Sequence, residues 1–348
     1  MVGRRASGST LKMADIAELA GVTEGTVSRA LSGSPLVNAV TRERIKKIAQ
    51  QQGYTIDAGA RNLRLRQTGT VAVVIPLLHA PEQRISDPFF LELLGHLADC
   101  LSAKGYDLLL SRIGADRPGD LQQLISSRRA DGVLLIGQST EHAAIERIAK
   151  KFMPLVVWGA PMPKCSYVTV GSDNRAGARA VVGHLLRLGR RHIAFFGNKA
   201  LPEVEQRYLG YCDALNEAGI AVEPDLEMAV QFAGSSARES TRALIDRGTG
   251  FDAVFAASDL IAMEVIKALD QHGIRVPDTI GVVGFDDVVV AGAYTPALTT
   301  VHQNTALGAR MMVEKLLDRI AGRPAESAIL PCELIVRRSC GTPYASDD

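Results

Sequence analysis

The stretch that most constrains this chain is AELAGVTEGTVSRAL, residues 17–31, two short amphipathic segments joined by Gly21-Val22-Thr23. In the first segment Ile16, Ala17 and Ala20 share one face at helical spacing, with Asp15 and Glu18 outward. Gly21 follows the last periodic residue, where a helix end favours a residue that tolerates positive φ. Thr23 is suited to cap the next segment, its hydroxyl accepting from the N–H of Thr26. There Val27, Ala30 and Leu31 form the apolar stripe, while Glu24, Gly25, Ser28 and Arg29 face away from it. The pattern predicts helix, Gly-containing turn and helix. It fits a plain helical hairpin, and it also fits a DNA-binding helix-turn-helix.

The residues that follow favour the second option. Asn38 can cap a third helix over about 39–52, with Val40, Ile45, Ile48 and Ala49 inward and Arg42, Arg44, Lys46 and Lys47 largely outward. Gly53-Tyr54 closes that helix, and Asp57 can cap a short fourth segment, AGARNLR. The stretch resembles the headpiece of the LacI/GalR family of bacterial transcription regulators. The matching residues are Asp15-Ile16-Ala17, Ala20-Gly21-Val22, Thr26-Val27-Ser28-Arg29, Thr41-Arg42, Gly53-Tyr54 and Ala60-Arg61-Asn62-Leu63.

A chain of 348 residues is too long for one core of ordinary size and suggests two or three domains. Residues 1–68 hold 11 Lys and Arg against five acids, a charge of +6, so with +1 overall the remainder carries −5. A basic head on an acidic body points to a nucleic-acid partner confined to the head. The five cysteines are scattered and form no CxxC pair, which predicts idle thiols in a reducing compartment, with no disulfide framework and no zinc site. No apolar run follows Arg4-Arg5, and the longest apolar runs are strand-length. The expectation is therefore a cytoplasmic protein without export signal or membrane span.

From Val71 onward the chain alternates short apolar runs with amphipathic segments. Strands are predicted at 71–78, 106–113, 132–137, 154–159, 167–173, 192–197, 253–258, 280–287, 298–303 and 332–339. They are continuously apolar rather than alternating, as in parallel sheets covered on both faces. Helices are predicted between them, most ending near Gly. The fold class is a small all-α headpiece, 11–56, then a hinge and linker, 57–69, then an α/β core, 70–348, of two doubly wound parallel lobes. Residues 1–10 read as a disordered tail.

This core resembles the effector-binding part of the same family, itself similar to periplasmic sugar-binding proteins. The resemblance rests on Asp87-Pro88-Phe89-Phe90, Asp173-Asn174, HLLRLGRRHIAFFG, Arg207, Ser258-Asp259, Gly284-Phe285-Asp286-Asp287 and Pro296-Ala297-Leu298-Thr299-Thr300-Val301. It implies interleaved lobes, the first about 70–171 and 302–331, the second about 172–301 and 332–342.

On DNA, the Arg29 guanidinium matches O6 and N7 of guanine, or alternatively holds a phosphate. Thr23, Glu24 and Gly25 stand at the recognition-helix start. Glu24 can accept from a cytosine amine or simply favour the helix N-terminus, whereas Gly25 offers no side chain. Thr26 and Ser28 are candidate phosphate-positioning hydroxyls, and Asn38 is counted with the DNA-facing set. The resemblance also implies a hinge helix over 57–63 lying in the minor groove, with Arg61 in contact and Leu63 wedged between base steps. Ile56 where relatives carry Pro, Gly59 where they carry an apolar residue, and Lys12 where they often have a Thr cap depart from the pattern. Gly59 predicts a weak hinge helix.

In the core, Arg207 and Asp286 match family positions that bind the effector, and Phe232 matches a stacking position. Trp158 ends a strand at the cleft edge, with Phe89, Phe90 and Arg112 facing from the first lobe. Asp259 is a further candidate ligand contact that reads equally as a helix cap, and Phe89 and Phe232 also read as core residues. GxSxG, GxxxxGK[ST], GxGxxG and paired histidines at metal spacing are all absent, so neither an enzyme nor a cofactor is expected. The resulting expectation is a dimeric repressor on a palindromic operator, released by a mono- or disaccharide. A purine-like corepressor is the alternative, and a sugar-binding protein without a DNA role a remote one. The tail after Cys340 has no heptads, which favours dimers over tetramers.

Overall fold

The computed structural model describes residues 11–31, 34–54, 67–77, 83–114, 120–138, 142–152, 154–162, 165–232 and 234–341. The tail and the proposed hinge helix, with Arg61 and Leu63, lie outside them. The chain divides into two compact units, Met1–Thr68 and Gly69–Asp348.

Among its described residues the first unit holds α1 (Met13–Ala20), α2 (Glu24–Leu31) and α3 (Ala39–Gln51). Gly21 takes φ +60°, and the N–H groups of Gly21 and Val22 return to Glu18 and Ala17 carbonyls, closing α1 with the left-handed turn its sequence predicts. Thr23 Oγ1 accepts from the Thr26 N–H at 3.3 Å, and Asn38 Oδ1 from that of Thr41 at 2.8 Å. At Lys12, where no side-chain oxygen is available, Asp15 reaches back to the Lys12 N–H at 2.9 Å. The core is Ile16, Ala17, Ala20, Val27, Ala30, Val37, Ile45 and Ala49. Two expectations, for Val40 and Arg42, need correction, while Arg44 is exposed as expected. Val40, expected inward, is 82% exposed, because α3 begins beyond the edge of α1 and α2. Arg42 turns back to donate to the Ser34 and Val37 carbonyls, and Arg44 donates to the Ala20 carbonyl at the end of α1. These two cations brace the fold.

In the second unit the elements run β1 (Thr70–Leu77), α4 (Pro88–Ala103), β2 (Asp107–Gly114), α5 (Asp120–Ser126), β3 (Gly132–Ile136), α6 (His142–Ala149), β4 (Leu155–Trp158), β5 (Val168–Ser172) and α7 (Asn174–Arg187). Then come β6 (Ile193–Phe196), α8 (Pro202–Glu217), β7 (Glu227–Met228), α9 (Ser236–Asp246), β8 (Ala253–Ala256), α10 (Asp259–Gln271), β9 (Gly281–Val283) and α11 (Val289–Ala293). The chain closes with β10 (Thr300–Gln303), α12 (Thr305–Ile320), β11 (Ala328–Leu330) and β12 (Cys332–Ile335). One sheet has the order β11-β5-β4-β3-β1-β2 and another β7-β6-β8-β9. Every pairing in both is parallel. β1 shows why such strands are uniformly apolar: Val71, Val73, Ile75 and Leu77 face α4 and α12, while Ala72 and Val74 enter the core on the other face. The second sheet has its own core around Phe195, Phe255 and Tyr211.

Two features were not expected from sequence. The three-residue β11 joins the edge of the first sheet beside β5. β12 pairs antiparallel with β10, forming a two-stranded ribbon outside both parallel sheets. Backbone bonds from Gly284 to Thr299 and from Asp286 to Val301 lay β10 along the segment after β9. Among the described residues no helix is long and apolar enough to cross a membrane.

Candidate functional site

The head presents one face of α2. Val27 and Ala30 are fully buried, which turns Glu24, Gly25 and Arg29 to the exposed side, with Ser28 and Thr26 half-buried beside them. Thr23 is exposed, and its hydroxyl lies 3.0 Å from that of Thr26, so the two are held as a pair at the start of the helix. Asn38 is exposed, although its oxygen is used in capping α3. A Cβ on Gly25 would meet only Thr23 Oγ1, at 3.8 Å. The glycine is therefore not required by packing and leaves a gap in the surface α2 presents.

The core contains a cleft whose free space, counted out to its open mouth, is about 640 Å³. Phe89 and Phe90, at the start of α4, and Trp158, ending β4, line it together with Arg207 of α8, Phe232 and Asp286. Asp87 caps α4 by accepting from the Phe89 N–H at 3.1 Å, which sets Phe89 at the helix start. The Phe89 ring lies 6.1 Å from both Phe90 and Trp158. Trp158 fits beneath α12 because residue 308 is Gly; a Cβ there would stand 2.1 Å from the indole.

Arg207 is 5% exposed and held from several sides. Its Nε donates to Asn174 Oδ1 at 2.8 Å, its Nη1 donates to the Ala257 carbonyl and lies 3.4 Å from Asp286 Oδ1, and its Cζ sits 3.8 Å from the centroid of the Phe285 ring. Asp286 adopts φ +118°, a conformation that favours glycine, and its Oδ1 accepts from Gln303 at 2.7 Å. That strained backbone and those two partners aim the carboxylate at the cleft. Burial pushes the Asp286 carboxyl up to about 7, against the opposing pull of Arg207. Such a site offers ionic hydrogen-bonding groups between aromatic faces, the complement of a small polyhydroxylated ligand.

Two residues of the expected set lie elsewhere. Asp259 has no exposed surface: its carboxylate accepts from Thr300 Oγ1 at 2.5 Å and from the Val288 N–H at 2.9 Å, bracing the loop that carries Asp286. Its burial, and then the charge of Asp286, holds that carboxyl well above the usual range. The cap of α10 is Ser258, one residue earlier. Arg112 lies on β2, the edge strand; Ile113 takes the inward position and Arg112 is exposed. Conversely, Asp87 and Glu203 line the cleft without having been expected there. Each had a signal: Asp87 stands immediately before a Pro-initiated helix, and Glu203 one helical turn before Arg207.

A helical unit with one exposed face of α2, carried on a chain whose core has two parallel sheets and a cleft, is the architecture of a DNA-binding regulator with a small-molecule site. The match to known proteins is consistent along the chain. Residues 12–57 match the model for bacterial regulatory proteins of the lacI family, and residues 182–340 that for a periplasmic binding protein-like domain. The HTH-type transcriptional regulator CelR of Thermobifida fusca is 34% identical over 339 residues, 95% of this chain and 98% of the relative. The solved CelR–cellobiose complex matches with a TM-score of 0.72 at 31% identity, covering 95% of this chain and 100% of the other. The lac repressor dimer bound to operator and the anti-inducer ONPF shares the fold, with a TM-score of 0.81 at 22% identity over 95% and 99% of the two chains. The protein belongs to the lacI family of bacterial regulatory proteins and is a DNA-binding transcriptional regulator.

Proposed function

We propose that this regulator is a repressor that binds a palindromic operator as a homodimer in the cytoplasm and leaves it when a mono- or disaccharide enters the core cleft. The observation that carries the reading is the pairing of Arg207 and Asp286 at a cleft walled by Phe89, Phe232 and Trp158, on a chain whose head exposes Arg29. Sugar hydroxyls make charge-assisted hydrogen bonds with such ions, and their C–H faces stack on the rings. The cellobiose named with the relative's structure supports a sugar as the ligand class. Arg29 reads a guanine edge, Glu24 a neighbouring base, and the hydroxyls of Thr23, Thr26 and Ser28, with Asn38, position the backbone.

Release follows from linkage: a sugar that binds better to the form of the core incompatible with paired heads lowers operator affinity by that difference in affinity. The reading assigns no chemical step to the cleft. Fluorescence anisotropy on the palindromic DNA upstream of the gene, with a sugar panel and varied salt, tests it. A sugar that lowers affinity, with steep salt dependence, is the expected result. A ligand that raises affinity reverses the sign of the mechanism, and a failure of sequence-specific binding removes the operator claim.

A further inference from the structure

The cleft carries more negative charge than positive. Among its described lining residues Asp87, Glu203 and Asp286 are acids, and Arg207 is the sole cation. That guanidinium is already engaged by Asn174, the Ala257 carbonyl, Asp286 and the Phe285 ring.

Anion sites in α/β folds are commonly helix N-termini, where free N–H groups and the helix dipole meet a phosphate. Two helices, α4 and α8, begin at this cleft, and each carries an acid at its start. α4 begins at Pro88, which has no N–H, and Asp87 takes the Phe89 N–H while also accepting from Gln83 at 3.2 Å. α8 begins at Pro202, again without an N–H, and carries Glu203 in its first turn. Glu203 Oε1 accepts the Gln138 N–H at 3.3 Å. The Gln138 N–H is a neutral donor that holds the Glu203 carboxylate in place without cancelling its charge; Arg207 acts on it electrostatically, with no ion pair between them among the described residues.

We infer that Glu203 is the charge filter of this cleft: together with Asp87 and Asp286 it admits uncharged or amine-bearing saccharides and refuses phosphorylated ones. The inference rests on the sugar-effector reading and narrows it. A hydroxyl or ammonium group donates to the carboxylates, whereas a phosphate monoester brings further negative charge to two helix ends already occupied by acids. Burial raises the carboxyl pKa values of Asp87, Glu203 and Asp286, and the single cation Arg207 opposes the rise only for Glu203 and Asp286.

The test is isothermal titration of the full chain at pH 8 with cellobiose, glucose, glucosamine and the 6-phosphates of the first two. The expected result is binding of at least one unphosphorylated sugar, with its phosphorylated form about 100-fold weaker or worse. Glu203→Gln should narrow that ratio about tenfold, and Asp87→Asn, on the opposite helix, should narrow it independently, so the ratio can be read from whichever variant folds. A phosphorylated sugar binding as tightly as its parent, or a ratio unmoved in both variants, overturns the inference. If a phosphorylated sugar binds and also releases operator, the sugar-effector reading survives and only the filter falls. If no member of the panel binds, both fall.

Discussion

The head and the core solve opposite recognition problems. The proposed DNA-facing surface is local and exposed: six of its nine candidate residues fall within Thr23–Arg29, and the side turned to solvent follows from burying Val27 and Ala30. The cleft is concave, mostly buried and acidic, and its walls come from residues as far apart as Pro76 and Asp286. In the head one helix, with its capping Thr23, carries most of the candidate contacts, so a substitution on its exposed side leaves the fold nearly untouched. In the core each charged group is also a structural member, so recognition and stability cannot be separated.

The largest break in that contrast should come from Arg207→Ala. It leaves Asp286 buried without its cation and removes the donors to Asn174 and the Ala257 carbonyl. A core destabilisation of about 3–5 kcal/mol and loss of sugar binding are expected. Calorimetry should show the core transition falling sharply, and an unchanged transition would show that the guanidinium is not a structural member.

Ile16→Ala is the counterpart in the head. Ile16 has no exposed surface in a small core, and its truncation should cost about 2–4 kcal/mol, most of what so small a unit possesses. Operator binding should disappear while sugar binding to the full chain persists. Loss of both would mean the two units do not fold independently.

Arg29→Ala tests the separability claimed for the head. Operator affinity should fall by about 1–3 kcal/mol with relaxed preference at one base pair, while the melting temperature stays put. A uniform loss across all sequences would instead make Arg29 a phosphate contact.

A smaller effect is expected from pH. In the unfolded chain the Asp286 carboxyl titrates at 3.8, in the fold at about 7. Between those values the fold holds a proton that the unfolded chain has released, so this group's contribution to stability falls as pH rises from about 4 to 7. Sugar hydroxyls favour the ionised form. Affinity should therefore rise from pH 6 to 8, by about tenfold at most, and Asp286→Asn should flatten that dependence. A wild-type affinity that does not vary over this range would sever the link between Asp286 ionisation and binding.

The smallest change is Gly25→Ala. Its Cβ meets only Thr23 Oγ1 at 3.8 Å, so α2 should gain about 0.5–1 kcal/mol, read as a modest rise in the head's unfolding transition. A fall would mean that the gap at position 25 has a packing role.

What was legible in the sequence follows the range of the interactions involved. The turn at Gly21, the caps at Thr23 and Asn38, the face of α2 that carries Arg29, and the apolar strands of the parallel sheets all depend on residues within one or two turns or on a simple period. Such features were determined by the chain itself, because short-range periodicity and capping decide them. Only the tertiary structure decided that Val40 stays exposed, that Arg42 turns back to the Ser34 and Val37 carbonyls, that β12 runs antiparallel to β10, and that Asp259 braces a loop while Glu203 faces the cleft. Asp259 and Glu203 are both acids in the first turn of a helix. What separates them is whether the opposing surface supplies donors, Thr300 and Val288 for Asp259, or an open cavity. That surface is built from chain tens of residues away, which no local pattern records.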